Sequence, residues 1–442
     1  MQLINSFRLL NPTKINILLI VFLPISLFVG SLILNLNIVL IILFFLMDCK
    51  KRNNFLLFKE NSFIFLIIIW LYLIFNSIYV GDTSESIIRA SGFIRFILLG
   101  YAIFYYLNIK DKIYENTILK YWVYIFLIVS VDLAFEWLFG KNVLGHTTCG
   151  KDAWLNQILT WFFCNQSNYP ARLASFTGDE LKIGGYYFGF VSLVLAYIFN
   201  KNKRFFIISF ITFFVLSLLI GERANFIKVF LIYLMFVFFI VEISNFKKII
   251  TSIFFFIITV LIIMNIQGLK SKFYNHTLSI NTLDKKITIK KLEPEQLVKN
   301  LHFSHYYTAI NIFKENPIFG IGMKEFRIES TKKKYSPIKG AYGLGMHPHQ
   351  IHFEILSELG IIGYMLIISN LFYTIINALK NNKNNSIFVK TAIMFIGVSF
   401  IPLIPSGSFF TTYGATIYWI NYSLLIATLI KKENLEKIFL SK

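Results

Sequence analysis

Twelve apolar blocks punctuate the chain, at about 16–33, 35–47, 62–80, 91–108, 119–139, 183–200, 205–220, 225–243, 248–267, 351–379, 386–404 and 411–430. Most approach or exceed the roughly 18 apolar residues that carry a helix across a hydrocarbon core. Helix is the element to expect, because lipid offers no partner to a free backbone N–H or C=O. The pattern predicts an all-α integral membrane protein with about 12 transmembrane helices.

The polar links between the blocks alternate in charge. Lys50, Lys51 and Arg52 fill one; Lys110, Lys112 and Lys120 another. Lys201, Lys203 and Arg204, then Lys247 and Lys248, then Lys380 and Lys383, and finally the tail from Lys431 to Lys442 continue the series. The intervening short links are nearly free of Lys and Arg: Gly81-Asp82-Thr83-Ser84-Glu85, Gly221-Glu222-Arg223 and Pro405-Ser406-Gly407-Ser408. Excess Lys and Arg marks cytoplasmic loops, so the alternation and the even count predict that both termini are cytoplasmic.

Two links on the other side are long, at about 140–183 and 268–350. The lysines of the second do not conflict with that placement, since long loops are translocated largely regardless of charge. The chain therefore divides into 1–267, with nine helices and the smaller loop; 268–350, a large periplasmic loop between helices 9 and 10; and 351–442, with three helices and a cytoplasmic tail. The start of the large loop is polar, with weak strand-like alternation at Ile287-Thr288-Ile289. Its second half reads as helix, turn, helix, with Asn316-Pro317 and Gly320-Ile321-Gly322 supplying the turn. No internal repeat is visible.

Composition narrows the function. Only 15% of the 442 residues are charged and 56% are hydrophobic, against about 25% charged in soluble domains. The net charge of +20 lies in clusters between apolar blocks rather than along one basic face. It marks topology and argues against a nucleic-acid partner. Three cysteines with no CxxC pair suggest neither zinc nor thioredoxin-like chemistry. Cys149 and Cys164 fall on the periplasmic side, where a disulfide is permitted; their spacing leaves the bridge and two free thiols equally open. The first block has no small-residue cleavage site and reads as a retained helix. Most of the 49 phenylalanines must face lipid or pack between helices. Trp154, Trp161 and Tyr169 are the aromatics to test for sugar contact.

All seven histidines fall on the periplasmic side under this topology: His146, His276, His302, His305, His347, His349 and His352. In Met346-His347-Pro348-His349-Gln350-Ile351-His352, Pro348 favours a first helical turn. The tenth helix is expected to begin near His349, with His349, His352 and Leu356 near one face. A helix N-terminus seats a phosphate and keeps a histidine neutral, able to act as a base. Interfacial hydrogen bonding is the plainer reading. A metal site is a competitor, but the stretch lacks the usual i, i+4 pair.

Gly221-Glu222-Arg223 places an arginine against the positive-inside trend. It fits either a guanidinium fork on a phosphate or an anchor reaching the headgroups. Arg172 to Glu180 combines a cation, Asp179, Glu180 and a Gly turn. It fits a glycan or phosphate contact, or a turn in which Asp179 caps the next helix. Arg95 lies inside an apolar block, where an unpaired charge costs roughly 2.5–3.5 kcal/mol. It fits a ligand role or an ion pair with Asp132 or Glu136.

The run Asn316-Pro317-Ile318-Phe319-Gly320-Ile321-Gly322-Met323-Lys324-Glu325-Phe326-Arg327, then His347-Pro348-His349-Gln350, then Glu358-Leu359-Gly360-Ile361-Ile362-Gly363, resembles the signature of the O-antigen ligase and O-antigen polymerase superfamily. The 131–145 and 175–185 segments and the Gly221-Glu222-Arg223 turn resemble one branch of it. The resemblance covers most of the chain from the fourth helix onward. It implies a glycosyltransferase of the bacterial inner membrane, acting in lipopolysaccharide biosynthesis without metal or other cofactor. Its donor is a glycan on undecaprenyl pyrophosphate, and its acceptor is lipid A-core or another carrier-linked glycan. Carried over, the essential histidine of the family's loop falls on His349 and its essential arginine on Arg223. Gln350 stands where the family usually has Asn. The arginine that many ligases carry before the Asn-Pro turn is missing here; His302, His305 or a nearby lysine would substitute.

The mechanism this implies is a single displacement with inversion. Arg223 holds the pyrophosphate and His349 activates the acceptor hydroxyl. Arg172, Asp179, Arg95, His347, Gln350 and His352 are the further substrate-binding candidates. A polymerase, a protein O-oligosaccharyltransferase and a non-enzymatic transporter are the alternatives. Against the transporter, no repeat is visible and the polar residues gather at one face rather than at mid-membrane.

Overall fold

The computed structural model describes residues 12–109, 113–145, 172–180, 182–270, 273, 301–335, 345–381 and 386–440. Among these residues the fold is all helix, without strands. The alternation at 287–289, Cys149, Cys164, His146, His276, Trp154, Trp161 and Tyr169 lie outside the described residues.

Each of the twelve apolar blocks coincides with helix. Among the described residues, eight helical stretches are long and apolar enough to cross a membrane, or up to nine if one bent pair is counted as a span. They include α1 (Pro12–Val29), α2 (Ser31–Lys51) and α3 (Asn61–Tyr79). The fourth stretch is α4 (Ser84–Gly92) continued by α5 (Ile94–Asn108). Next come α6 (Ile113–Phe139) and α7 (Ile183–Lys201). Two shorter helices of 17 residues each follow, α8 (Lys203–Leu219) and α9 (Arg223–Phe239). Then come α10 (Asn245–Asn265), α11 (Leu301–Glu315) and α12 (Ile351–Asn381). The chain closes with α13 (Ile387–Ser399), of 13 residues, α14 (Thr412–Leu429) and α15 (Lys432–Leu440). Hydropathy alone assigns the shorter blocks to full spans; the helices they form are shorter than that assignment requires.

The chain forms two compact units. The first comprises Met1–Trp122, Val298–Ile396 and Phe400–Lys442. Within it α1 packs on α2, α14 on α5, and α12 on α3, α11 and α14. Its buried polar groups find partners, as the absence of water demands. Asp48 accepts from the Thr13 hydroxyl at 2.9 Å and from Tyr106, and Trp122 Nε1 donates to the Ile20 carbonyl at 3.0 Å.

The second unit, Val123–Leu297 with Gly397–Ser399, is built from most of α6 and from α7 to α10. Its core is aromatic: Phe210 and Tyr233 lie 4.4 Å apart, and Phe214 and Phe255 4.7 Å. Helix α10 buries only 11% of its apolar window. An all-round apolar helix left so uncovered suits lipid contact.

Helix α12 departs from the expected single span. It starts at Ile351, not at His349, and it breaks at Gly360 (φ 65°, ψ −170°). Its 31 residues would extend about 46 Å if straight, well beyond a core of about 30 Å. The part after Gly360 is long enough to cross alone.

Candidate active site

The break in α12 is completed by the turn at residues 316–322. In a continuous helix the Ser357 and Glu358 carbonyls would accept from the Ile361 and Ile362 amides. Instead Ser357 O accepts from Ile321 N at 3.1 Å and Glu358 O from Gly322 N at 2.9 Å. The freed amides donate to the turn: Ile361 N to Pro317 O at 2.8 Å and Ile362 N to Ile318 O at 3.4 Å. The two carbonyls and two amides of two interrupted helical bonds are thus re-paired in four bonds between two backbones. So close an approach needs glycine. A Cβ on Gly360 would lie 2.2 Å from Ile318 O, and one on Gly320 2.5 Å from the Glu358 carbonyl carbon. Asn76 Nδ2 donates to Phe319 O, and Tyr72 OH to Leu359 O at 2.7 Å.

The turn delivers Lys324, itself in the left-handed region (φ 68°). Its amide donates to Glu358 Oε2 at 2.8 Å. Its ammonium reaches Glu354 Oε1 at 3.3 Å and also the Ser408 hydroxyl. Glu354 Oε2 accepts from Phe409 N at 2.8 Å. One ammonium therefore lies among two buried carboxylates, one of them held through the backbone, an arrangement that tolerates no missing partner. Beyond it, Glu325 accepts from Thr83 N at 3.1 Å at the start of α4, and Arg327 pairs with Glu85.

Four histidines converge beside this network. Helix α11 presents His302 and His305 on one face, at i and i+3. The loop before α12 supplies His347 and His349. The ring of His349 lies 4.1 Å from that of His347, 5.3 Å from His305 and 5.5 Å from His302. His349 has φ 57°, a left-handed conformation uncommon outside glycine and often found at functional sites. Its carbonyl accepts from Ser406 N at 2.8 Å. Gln350 caps α12, its Oε1 accepting from His352 N at 2.7 Å and Phe353 N at 3.0 Å. That cap starts the helix two residues later than Pro348 suggests. It takes His349 off the face shared by His352 and Leu356.

Burial, then the charges of His347, His305 and His302, pushes His349 down to about 3, opposed by the Glu354 carboxylate. Burial, then Lys324 and His305, lowers His347 to about 4. Both imidazoles are neutral at neutral pH. His352 is engaged at both ring nitrogens, by Phe400 O at 2.7 Å and Tyr364 OH at 3.1 Å. Among the described residues no group of three or more His, Cys, Asp or Glu is arranged to hold a metal ion.

In the second unit, Arg223 opens α9 after a turn at Gly221 (φ 75°). Leu173 N donates to Ile220 O at 3.2 Å and ties the 172–175 segment to that turn. The segment is clamped by α6. Ser175 Oγ donates to Asp132 at 2.6 Å, and the Ala174 and Ser175 amides donate to Glu136 at 2.7 to 3.1 Å. These two carboxylates, named above as partners for Arg95, are occupied here. Arg95 donates to Gly92 O at 2.7 Å and stacks over Phe96. The clamp brings Arg172 close enough for its charge to act on Arg223. The residue preceding α7 at its cap is Lys182, with no side-chain cap bond; the side chain of Asp179 lies outside those described.

A family model described as Wzy_C, O-antigen ligase, matches residues 208–368. Over that stretch the chain is similar to the O-antigen ligase family. No curated protein matches the chain. The matched stretch begins within α8 and ends within α12. It holds Arg223, the re-paired turn, Lys324 and all four clustered histidines. Ser408, Phe409, Arg172, Asp132 and Glu136 lie outside it.

Glu222 gives the turn before α9 a further constraint. A Cβ on Gly184 of α7 would lie 2.0 Å from Glu222 Oε2. Gly184→Ala is expected to displace Glu222, and the neighbouring Arg223 with it. On the glycan-transfer reading proposed below, lipopolysaccharide ladder intensity should fall by an order of magnitude or more at a nearly unchanged membrane protein level.

Proposed function

We propose that this protein is a membrane glycosyltransferase that moves a glycan from undecaprenyl pyrophosphate to a lipid A-core acceptor at the periplasmic face. The observation that carries the reading is His349: a neutral imidazole on left-handed backbone, at the centre of four histidines, within the stretch similar to the O-antigen ligase family. The acceptor hydroxyl attacks the anomeric carbon, its proton passes to His349, and the bond to the pyrophosphate oxygen breaks. Undecaprenyl pyrophosphate departs with the bonding electron pair, and the configuration inverts. An imidazole this weakly basic in the empty site takes the proton only as negative charge gathers beside it. Arg223 and Arg172 are the cations for the diphosphate. Twelve spans with both termini cytoplasmic remain the proposed topology of this inner-membrane protein, with the loops at 140–183 and 268–350 on the periplasmic side. His347 and Gln350 flank the acceptor in this reading.

The test is a silver-stained lipopolysaccharide gel from cells lacking the protein. Loss of all O-chains from the core, with long carrier-linked polymer accumulating, is the expected result. Single-repeat lipopolysaccharide would instead identify a polymerase, and an unchanged gel would sink both.

The pH dependence follows from the histidines. The unfolded chain takes up protons on them as pH falls through 6.5; the folded site does so only near 4 and 3. Their contribution to stability is therefore complete above about pH 6.5 and is lost progressively as the pH falls toward 3. The kcat/KM profile should stay level from about pH 8 to about pH 5. An acid limb centred on 6.5 would show an ordinary imidazole at position 349.

A further inference from the structure

Lys228 lies in the middle of an apolar helix and has no evident reason to be there. It is 4% exposed, on α9, with its ammonium 5.4 Å from the Phe188 ring of α7. Among the described residues it makes no hydrogen bond and no ion pair. The carboxylate of Glu222 acts on its charge from beyond ion-pair distance. That carboxylate is itself held against Gly184, and its Oε1 accepts from Asn225 Nδ2 at 2.8 Å. A ring face alone is a weak partner for a desolvated ammonium, and a buried charge in a membrane helix without a counter-ion is costly.

Helix geometry indicates what the ammonium is placed to meet. Lys228 follows Arg223 by five residues, a rise of about 7.5 Å. A helical side chain leaves its Cα toward the helix N-terminus, so the long lysine stem runs back toward the Glu222–Arg223 turn. Five residues also turn about 140° round the axis. Lys228 and Arg223 thus flank the start of α9 from different sides.

We propose that Lys228 is a second phosphate-binding cation for a polyprenyl diphosphate, its three N–H donors left for the ligand's oxygens. This rests on the reading of Arg223 as a diphosphate-binding residue and extends it to a group buried deeper in the same unit. The ligand class is a lipid-borne phosphate ester; among the lipids of the membrane, the carrier with two phosphates suits two separated cations best.

The experiment uses the full chain purified in detergent, with thermal melts and binding titrations against farnesyl diphosphate, farnesyl monophosphate and phosphatidylglycerol nanodiscs. Lys228→Met removes an unpaired buried charge, so without ligand it should melt above wild type. It should bind the diphosphate about tenfold more weakly or worse, as loss of a charge-assisted hydrogen bond implies. Lys228→Arg should retain most of the affinity. A Lys228→Met protein that melts lower without ligand, or binds the diphosphate like wild type, overturns the proposal. So does a wild type stabilised by phosphatidylglycerol and not by the diphosphate. Arg223→Ala is run alongside. Unchanged diphosphate affinity there defeats the reading of Arg223 alone, while a loss in Lys228→Met would still uphold the lysine.

Discussion

His349→Ala is expected to lower glycan transfer by about 10²- to 10⁴-fold, the usual worth of a general base, while the protein still inserts and folds. The lipopolysaccharide gel should then match that of the deletion strain. Alanine is less at ease than the native residue in left-handed backbone, so some loss of stability would confuse the result. His349→Asn removes that ambiguity, because asparagine tolerates φ near 57° and has no basic nitrogen. The asparagine variant should melt within a degree or two of wild type and be as inactive as the alanine variant. Full complementation by either would show that the hydroxyl proton goes elsewhere. The neighbouring rings sharpen the expectation. His347, His305 and His302 all act against protonation of His349. With His349 gone, His347 is relieved of one neighbour and still carries burial and the Lys324 charge against protonation.

Gly360→Ala should have the largest effect on stability. Its φ and ψ of 65° and −170° fall in a region open essentially to glycine alone, where a side chain costs about 1–3 kcal/mol. The added Cβ would also press on Ile318 O from 2.2 Å. Relieving that contact separates the turn from the helix and strands four pairs of backbone groups, each bond worth about 0.5–1.5 kcal/mol net. The combined loss, at least about 3 kcal/mol, is a large share of the 5–15 kcal/mol typical of a folded domain. The variant should be nearly absent from membranes, read by immunoblot and by thermal melting of whatever is recovered. Gly397→Ala in α13 is the control, since a Cβ there meets nothing within 4 Å. That protein should accumulate normally, with a gain of up to about 1 kcal/mol from helix propensity.

Much of the architecture was legible from apolar length alone, since every block from 16–33 to 411–430 forms helix. What hydropathy cannot see is a break inside an apolar run. Leu359, Ile361 and Ile362 are apolar like the rest of the run, and no side chain there announces that the Ile361 and Ile362 amides and the Ser357 and Glu358 carbonyls pair with residues 317–322. The glycines of the resembling signature were the only trace of that pairing. At the candidate site, the motif singles out His349 but says nothing of its setting. Pro348 pointed to a helix start, and the competing Gln350 cap moved it. His302 and His305 stand more than forty residues upstream, and only the packing of α11 on α12 brings their rings to His349. Lys324 was quoted within the signature without a role, because a loop lysine looks alike whether it meets water or two buried carboxylates. By sequence, Asp132 or Glu136 is one of two open answers for Arg95, as its counter-ion. They serve backbone amides instead, a use that carries no sequence pattern at all. Lys228 did carry a signal, a lone cation inside an apolar block.

The interruption of α12 also works as a ruler. If the stretch beyond Gly360 fills the hydrocarbon, then Ile351–Leu359 stands clear of it, reaching at most about 13 Å along its axis. His349 sits just past that end. On the proposed reading this places the base near the membrane surface, where the diphosphate of a lipid carrier and the sugars of a lipid-anchored acceptor can both reach it. Adding a turn to the short stretch would raise the base by about 5 Å and leave the two reactants at different altitudes. The spacing between Gln350 and Gly360 thus sets where, relative to the membrane, a greasy tail and a hydrophilic glycan are able to meet.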